Sequence, residues 1–173
     1  DRRGEFENDP VQTGHLTYFL NLLFRKRGFR PGQIPILNRA LQNKNVIGLL
    51  PTGGGKSLTY QLAAMLQPGV TIVVDPLRSL MQDQYEGLVG SGIDSCAFIN
   101  STISTAERRA AERRMETSEL QFVFLSPERL CIYEFRERLQ TMHEMSVYFA
   151  YGVIDEVHCV SEWGHDFRFS YLH

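Results

Sequence analysis

The run Pro51-Thr52-Gly53-Gly54-Gly55-Lys56-Ser57 limits the fold of this chain more than any other segment, because an apolar stretch, residues 45–50, precedes it and a helix-forming one, residues 58–66, follows. Consecutive glycines let a backbone turn tightly and bring its N–H groups close to a polyphosphate. A lysine just after them reaches the β and γ phosphates, and the next hydroxyl suits Mg²⁺. A helix beginning there adds unsatisfied N–H groups and a dipole that favours an anion. Strand, glycine loop and helix together predict a nucleoside triphosphate site, with Thr52, Gly53, Gly54, Gly55, Lys56 and Ser57 as its cradle. The general pattern has a glycine five positions before Gly55, where this chain has Leu50.

Beyond the loop, short apolar runs at residues 70–74, 95–99, 121–125 and 148–154 alternate with segments of helical spacing. Together with residues 45–50 they predict buried strands joined by long crossovers. The expected fold class is α/β, with a mainly parallel sheet, helices on both faces and ligands at the carboxyl ends of the strands. Upstream, Leu16, Phe19, Leu20, Leu23 and Phe24 recur at helical spacing within residues 15–27, and a second helix is expected over residues 31–42. Residues 1–14 read as a polar arm and residues 15–173 as one domain. The 173 residues, 43% of them hydrophobic, suffice for a single core.

A net charge of −2 excludes a uniformly basic nucleic-acid binder and leaves room for a local groove of arginines. Of 18 basic residues only Lys26, Lys44 and Lys56 are lysines, and Arg is the residue suited to bidentate phosphate contacts. Arg108, Arg109, Arg113 and Arg114 alternate with Glu107, Glu112 and Glu116, the pattern of a solvated helix face laced with ion pairs. Cys96, Cys131 and Cys159 are odd in number and lie in apolar surroundings, as buried thiols of a reducing compartment do. No run is long enough to span a membrane and no signal peptide is evident, so a cytoplasmic protein without a membrane partner is expected.

The apolar segment ending in Ile154 runs into two carboxylates, Asp155 and Glu156, 99 residues after Lys56. At the end of a parallel strand beside a phosphate loop, such a pair supplies what hydrolysis needs. Asp155 is expected to hold Mg²⁺ together with Ser57, and Glu156 to activate water, so Lys56, Asp155 and Glu156 are the catalytic candidates for Mg-ATP hydrolysis. His158, Cys159, His165 and His143 are zinc-type ligands, but adjacent side chains without a Cys-x-x-Cys pair argue against zinc.

Asp155-Glu156-Val157-His158 followed by Cys159-Val160-Ser161-Glu162-Trp163-Gly164-His165-Asp166-Phe167-Arg168 resembles the Walker B motif and aromatic-rich loop of RecQ-family DNA helicases, in superfamily two. Gly28-Phe29-Arg30-Pro31-Gly32-Gln33 resembles the family's adenine-recognising element, with Gln33 as reader and Arg30 as second contact. The superfamily's loop, Pro-Thr-Gly-x-Gly-Lys, also accounts for Leu50. Residues 76–84, 98–101 and 125–130 resemble its DNA-facing elements, which makes Arg78, Ser79, Asn100 and Ser101 candidate strand contacts. Asp75 stands where relatives have a small, often hydroxyl-bearing residue, and Arg78 where they have an apolar one.

The resemblance implies a RecA-like P-loop NTPase domain, the first of two in a 3′ to 5′ DNA helicase, with the second motor domain as its partner. ATP and Mg²⁺ are the implied cofactors, and single-stranded DNA and duplex junctions the implied substrates. Trp163 and Phe167 would stack on unpaired bases, Arg168 would pair with phosphate, and His158 would link the nucleotide site to the neighbouring motor elements. The compartment is then the cytoplasm, or the nucleoid or nucleus. Two other classes fit the phosphate loop alone. One is an assembly module with a vestigial ATP switch, against which intact Lys56, Asp155 and Glu156 count. The other is a small-molecule kinase, for which the aromatic loop has no use.

Overall fold

The computed structural model describes residues 10–157. His158, Trp163, Phe167 and Arg168 therefore lie outside the described residues. The chain divides into two compact units, Asp1–Gln67 and Pro68–His173.

Among its described residues the first unit holds three helices. Helix α1 (Pro10–Phe24) buries Leu16 and Leu20. It is already helical at Pro10, the first described residue, ahead of the expected 15. Thus residues 10–14 are helical rather than part of an arm. Helix α2 (Gln33–Leu41) begins after Gly32 at φ +84°, and a Cβ there would come within 2.8 Å of Leu50 Cδ2. Helix α3 (Lys56–Met65) follows the glycine loop and buries Leu62, Ala63 and Ala64. Residues 45–50, expected to be a strand, form none, and Ile47 and Leu49 are 85% and 87% exposed. Apolar composition favours a strand only where a neighbouring strand supplies ladder partners, and no described strand pairs with this segment.

The second unit is a strand and helix alternation. It runs β1 (Val70–Val74), α4 (Arg78–Gly90), β2 (Cys96–Ile99), α5 (Thr105–Glu116), β3 (Phe122–Leu125), α6 (Pro127–Leu130), α7 (Tyr133–Glu144) and β4 (Phe149–Ile154). The strands are ordered β2-β3-β1-β4 and all pairs are parallel. Each of these strands lies within one residue of its expected position, because a run of apolar, β-branched and aromatic residues bounded by turn formers is suited to burial on both faces. On one face Ala97, Ile99, Val123 and Leu125 pack with Ala111 and Met115 of α5 and Phe135 and Met142 of α7. On the other, Phe98 meets Tyr85 of α4 edge to face at 5.2 Å, and Phe122 and Phe124 stack at 6.5 Å.

Two local expectations change. Glu112 is not part of a solvated face: it is 6% exposed and accepts from Arg138 of α7. Cys96 is buried, its thiol pushed up to about 11 by burial, whereas Cys131 is exposed. Among the described residues no helix is long and apolar enough to cross a membrane, and no group of three or more His, Cys, Asp or Glu is placed to hold a metal ion.

Candidate functional site

In the first unit, the loop folds on its own backbone: Gly54 N–H donates to Pro51 O at 2.8 Å. Gly53 and Gly55 have φ of +73° and +78°, the left-handed region where a side chain is strained. Gly55 caps α3, so Lys56 and Ser57 stand in the first turn, among the N–H groups that lack intrahelical partners. A Cβ on Gly54 would lie 2.7 Å from Pro51 O, and one on Gly55 2.5 Å from Gln33 Nε2. The cradle thus requires glycine at both positions, and the donor set fits a polyphosphate.

Gln33, 1% exposed, holds this loop. Its Nε2 donates to Gly54 O at 3.2 Å and Gly55 O at 3.0 Å, while its Oε1 accepts from Arg30 N–H at 2.7 Å. Arg30 Nη1 donates to Gly53 O. The two residues expected to read a base are therefore bonded to three consecutive loop glycines. Thr52 is exposed at the turn.

In the second unit the parallel strands end at one edge, and the first residue after each is polar and buried. These are Asp75 at 0%, Asn100 at 5%, Ser126 at 8% and Asp155 at 8% exposure. Asp75 N–H donates to Leu125 O and Asp155 N–H to Val74 O, which carries the ladder one step past the strands. Asp75 Oδ1 accepts from Leu77 N–H at 2.9 Å, and Asp155 Oδ1 from Glu156 N–H at 2.9 Å. Gln84 Nε2 lies 3.2 Å from both Asp75 Oδ2 and Asp155 Oδ2. Burial pushes the Asp75 carboxyl up to about 6; the Leu77 N–H opposes this, and the charges of Asp155 and Glu156 add to it. Glu156 sits at φ +46°, in the left-handed region that a residue bearing a Cβ adopts at a cost.

A DEAD/DEAH box helicase pattern matches residues 30–172. The chain belongs to the DEAD/DEAH box helicase family. It is similar to the protein named ATP-dependent helicase SGS1 of Saccharomyces cerevisiae, 44% identical over 159 residues, covering 89% of this chain and 11% of that one. The Probable ATP-dependent DNA helicase RecS of Bacillus subtilis is 42% identical over 143 residues, 83% of this chain and 27% of its own. ATP-dependent DNA helicase RecQ of Haemophilus influenzae is 36% identical over 152 residues, 88% and 24% respectively. The chain therefore spans about a tenth to a quarter of the relatives it matches. Its parallel sheet with helices on both faces agrees with a RecA-like α/β helicase domain.

Within this helicase domain, Arg78 and Ser79 are exposed in the first turn of α4, and Ser101 is exposed after β2. Asn100 is a different case. Its Oδ1 accepts from Thr102 N–H and Oγ1, and its Nδ2 lies 4.0 Å from Met81 Sδ, so it shapes the turn after β2 instead of facing outward. Sequence reasoning missed Gln84. The available signal was a polar residue on the stripe Met81–Gln84–Leu88, at the spacing of a buried helix face.

Proposed function

We propose that this chain is the first motor domain of an ATP-dependent DNA helicase that moves 3′ to 5′ along single-stranded DNA and opens duplexes and junctions. It works with a second motor domain of the full-length protein, in the cytoplasm or at the chromosome. The observation that carries the reading is the phosphate cradle, with glycines at positive φ, two positions where a Cβ would collide and Lys56 in the first turn of α3. Loop and helix N–H groups bind the phosphates, and the Lys56 ammonium offsets charge on the group being transferred. Ser57 and Asp155 are the residues to hold Mg²⁺, which when bound neutralises phosphate charge. Glu156 takes the proton of the attacking water. Adenine reading by Gln33 and Arg30 requires them to exchange loop bonds for base contacts. Arg78, Ser79 and Ser101 face the DNA backbone, Trp163 and Phe167 stack on bases, Arg168 pairs with phosphate, and His158 links the nucleotide site to the neighbouring motor elements.

Lys56→Ala in the full-length protein is expected to lower DNA-stimulated ATP hydrolysis by on the order of 100-fold or more. Retained turnover overturns the assignment.

A further inference from the structure

Asp75 and Asp155 follow neighbouring strands whose last residues, Val74 and Ile154, are partners in the ladder. Their carboxylates therefore leave the sheet side by side, both buried, where like charges repel more strongly than in water. Each has one oxygen on a backbone N–H, from Leu77 and Glu156 respectively. The second oxygen of each faces the same Gln84 amide nitrogen, at 3.2 Å. A primary amide nitrogen carries two hydrogens, one for each carboxylate. Burying an amide without hydrogen bonds costs about 1–3 kcal/mol, whereas burying an apolar side chain is favourable, so an apolar residue would suit this stripe of α4 better unless the amide had partners here.

We propose that Gln84 is a positioning residue for the magnesium-holding carboxylate. Its amide fixes Asp155 Oδ2, offsets the repulsion from Asp75 and ties both carboxylates to α4. The inference rests on the reading of Asp155 given under Proposed function. A ligand carboxylate held by a hydrogen-bonding neighbour keeps its orientation, and loss of such a neighbour lowers metal affinity.

The test is the Mg²⁺ concentration that half-saturates binding of a methylanthraniloyl ATP to the full-length protein, read by fluorescence without turnover. Gln84→Met, matched in length, is expected to raise it about ten-fold. Gln84→Asn, which keeps an amide too short to bridge both carboxylates, shifts it in the same direction and decides the matter should the Met variant not fold. Leu88→Ala, one turn away on the same stripe, lowers the melting temperature and leaves the Mg²⁺ midpoint in place. The proposal is overturned if the Gln84 variants stay within about two-fold of the parent, or if Leu88→Ala shifts the midpoint as much as they do. Asp155→Ala separates the two readings. Should it leave the midpoint unchanged, the metal role of Asp155 itself fails; should it shift the midpoint while the Gln84 variants do not, only the role of Gln84 fails.

Discussion

The two units are held by different forces. In Pro68–His173, strand residues such as Phe122, Val123, Phe124 and Leu125 are fully buried, and the sheet rests on apolar packing from both faces. In Asp1–Gln67, the phosphate loop keeps its shape through a few polar bonds, from Gln33 to two glycine carbonyls and from Arg30 to a third. Packing is dense and resists change, since a lost methylene leaves a void. Hydrogen bonds from side chain to backbone can be exchanged for a ligand at little net cost. Each unit is thus suited to a different task within itself, the sheet to holding its carboxylates and the loop to adapting.

The largest effect that tests this contrast lies in the sheet. Phe124→Ala removes a ring that is fully buried and stacked on Phe122, and is expected to cost about 3–5 kcal/mol. Hydrogen exchange of the β1 and β3 amides measures it locally. A loss below about 1 kcal/mol means that the sheet does not depend on packing in the way described.

Asp75 is the polar exception within the packed unit, and its proton sharpens the point. The folded chain holds that proton up to about pH 6, and the ordinary value is 3.8. Below about pH 4 both states are protonated. Through the window from there to about 6 the unfolded state releases its proton first, so stability falls as pH rises and then levels off. The loss attributable to Asp75 is up to about 3 kcal/mol. Subtracting the denaturation free energy of Asp75→Asn from that of the parent, pH by pH and without nucleotide or Mg²⁺, isolates it. The difference is expected to move against the parent between about pH 4 and 6.5; a flat difference shows that Asp75 is not burdened by its burial.

The same division decides what was legible beforehand. Residues 70–74, 95–99, 121–125 and 148–154 were readable as strands because each apolar run finds parallel partners in the same unit. Residues 45–50 have equal apolar character and form no strand, since pairing is a property of the neighbour and not of the segment. The glycines of the loop were legible because backbone geometry requires them, with Gly53 and Gly55 at positive φ and no room for a Cβ on Gly54. Gln33 was read as a base contact from resemblance, and its bonds to Gly54 and Gly55 were hidden because they join positions more than 20 residues apart. Asn100 and Gln84 were hidden for another reason: burial assigns each amide its partner, and a linear motif does not show which side chains are buried.

The smallest effect separates two causes within the loop itself. Gly53 and Gly55 share positive φ, yet a Cβ on Gly53 meets nothing within 4 Å and one on Gly55 meets the Gln33 amide. Gly53→Ala therefore carries backbone strain alone, about 1 kcal/mol, or roughly five-fold in affinity for nucleotide. Gly55→Ala adds displacement of Gln33, which disturbs both the free cradle and the side chain placed to read the base, so its loss of affinity is expected to exceed that of Gly53→Ala by a further factor of about ten. Titration of both variants of the full-length protein with a fluorescent ATP measures the gap. Equal losses would mean that strain alone sets the loop, and that the polar bonds from Gln33 contribute nothing to its shape.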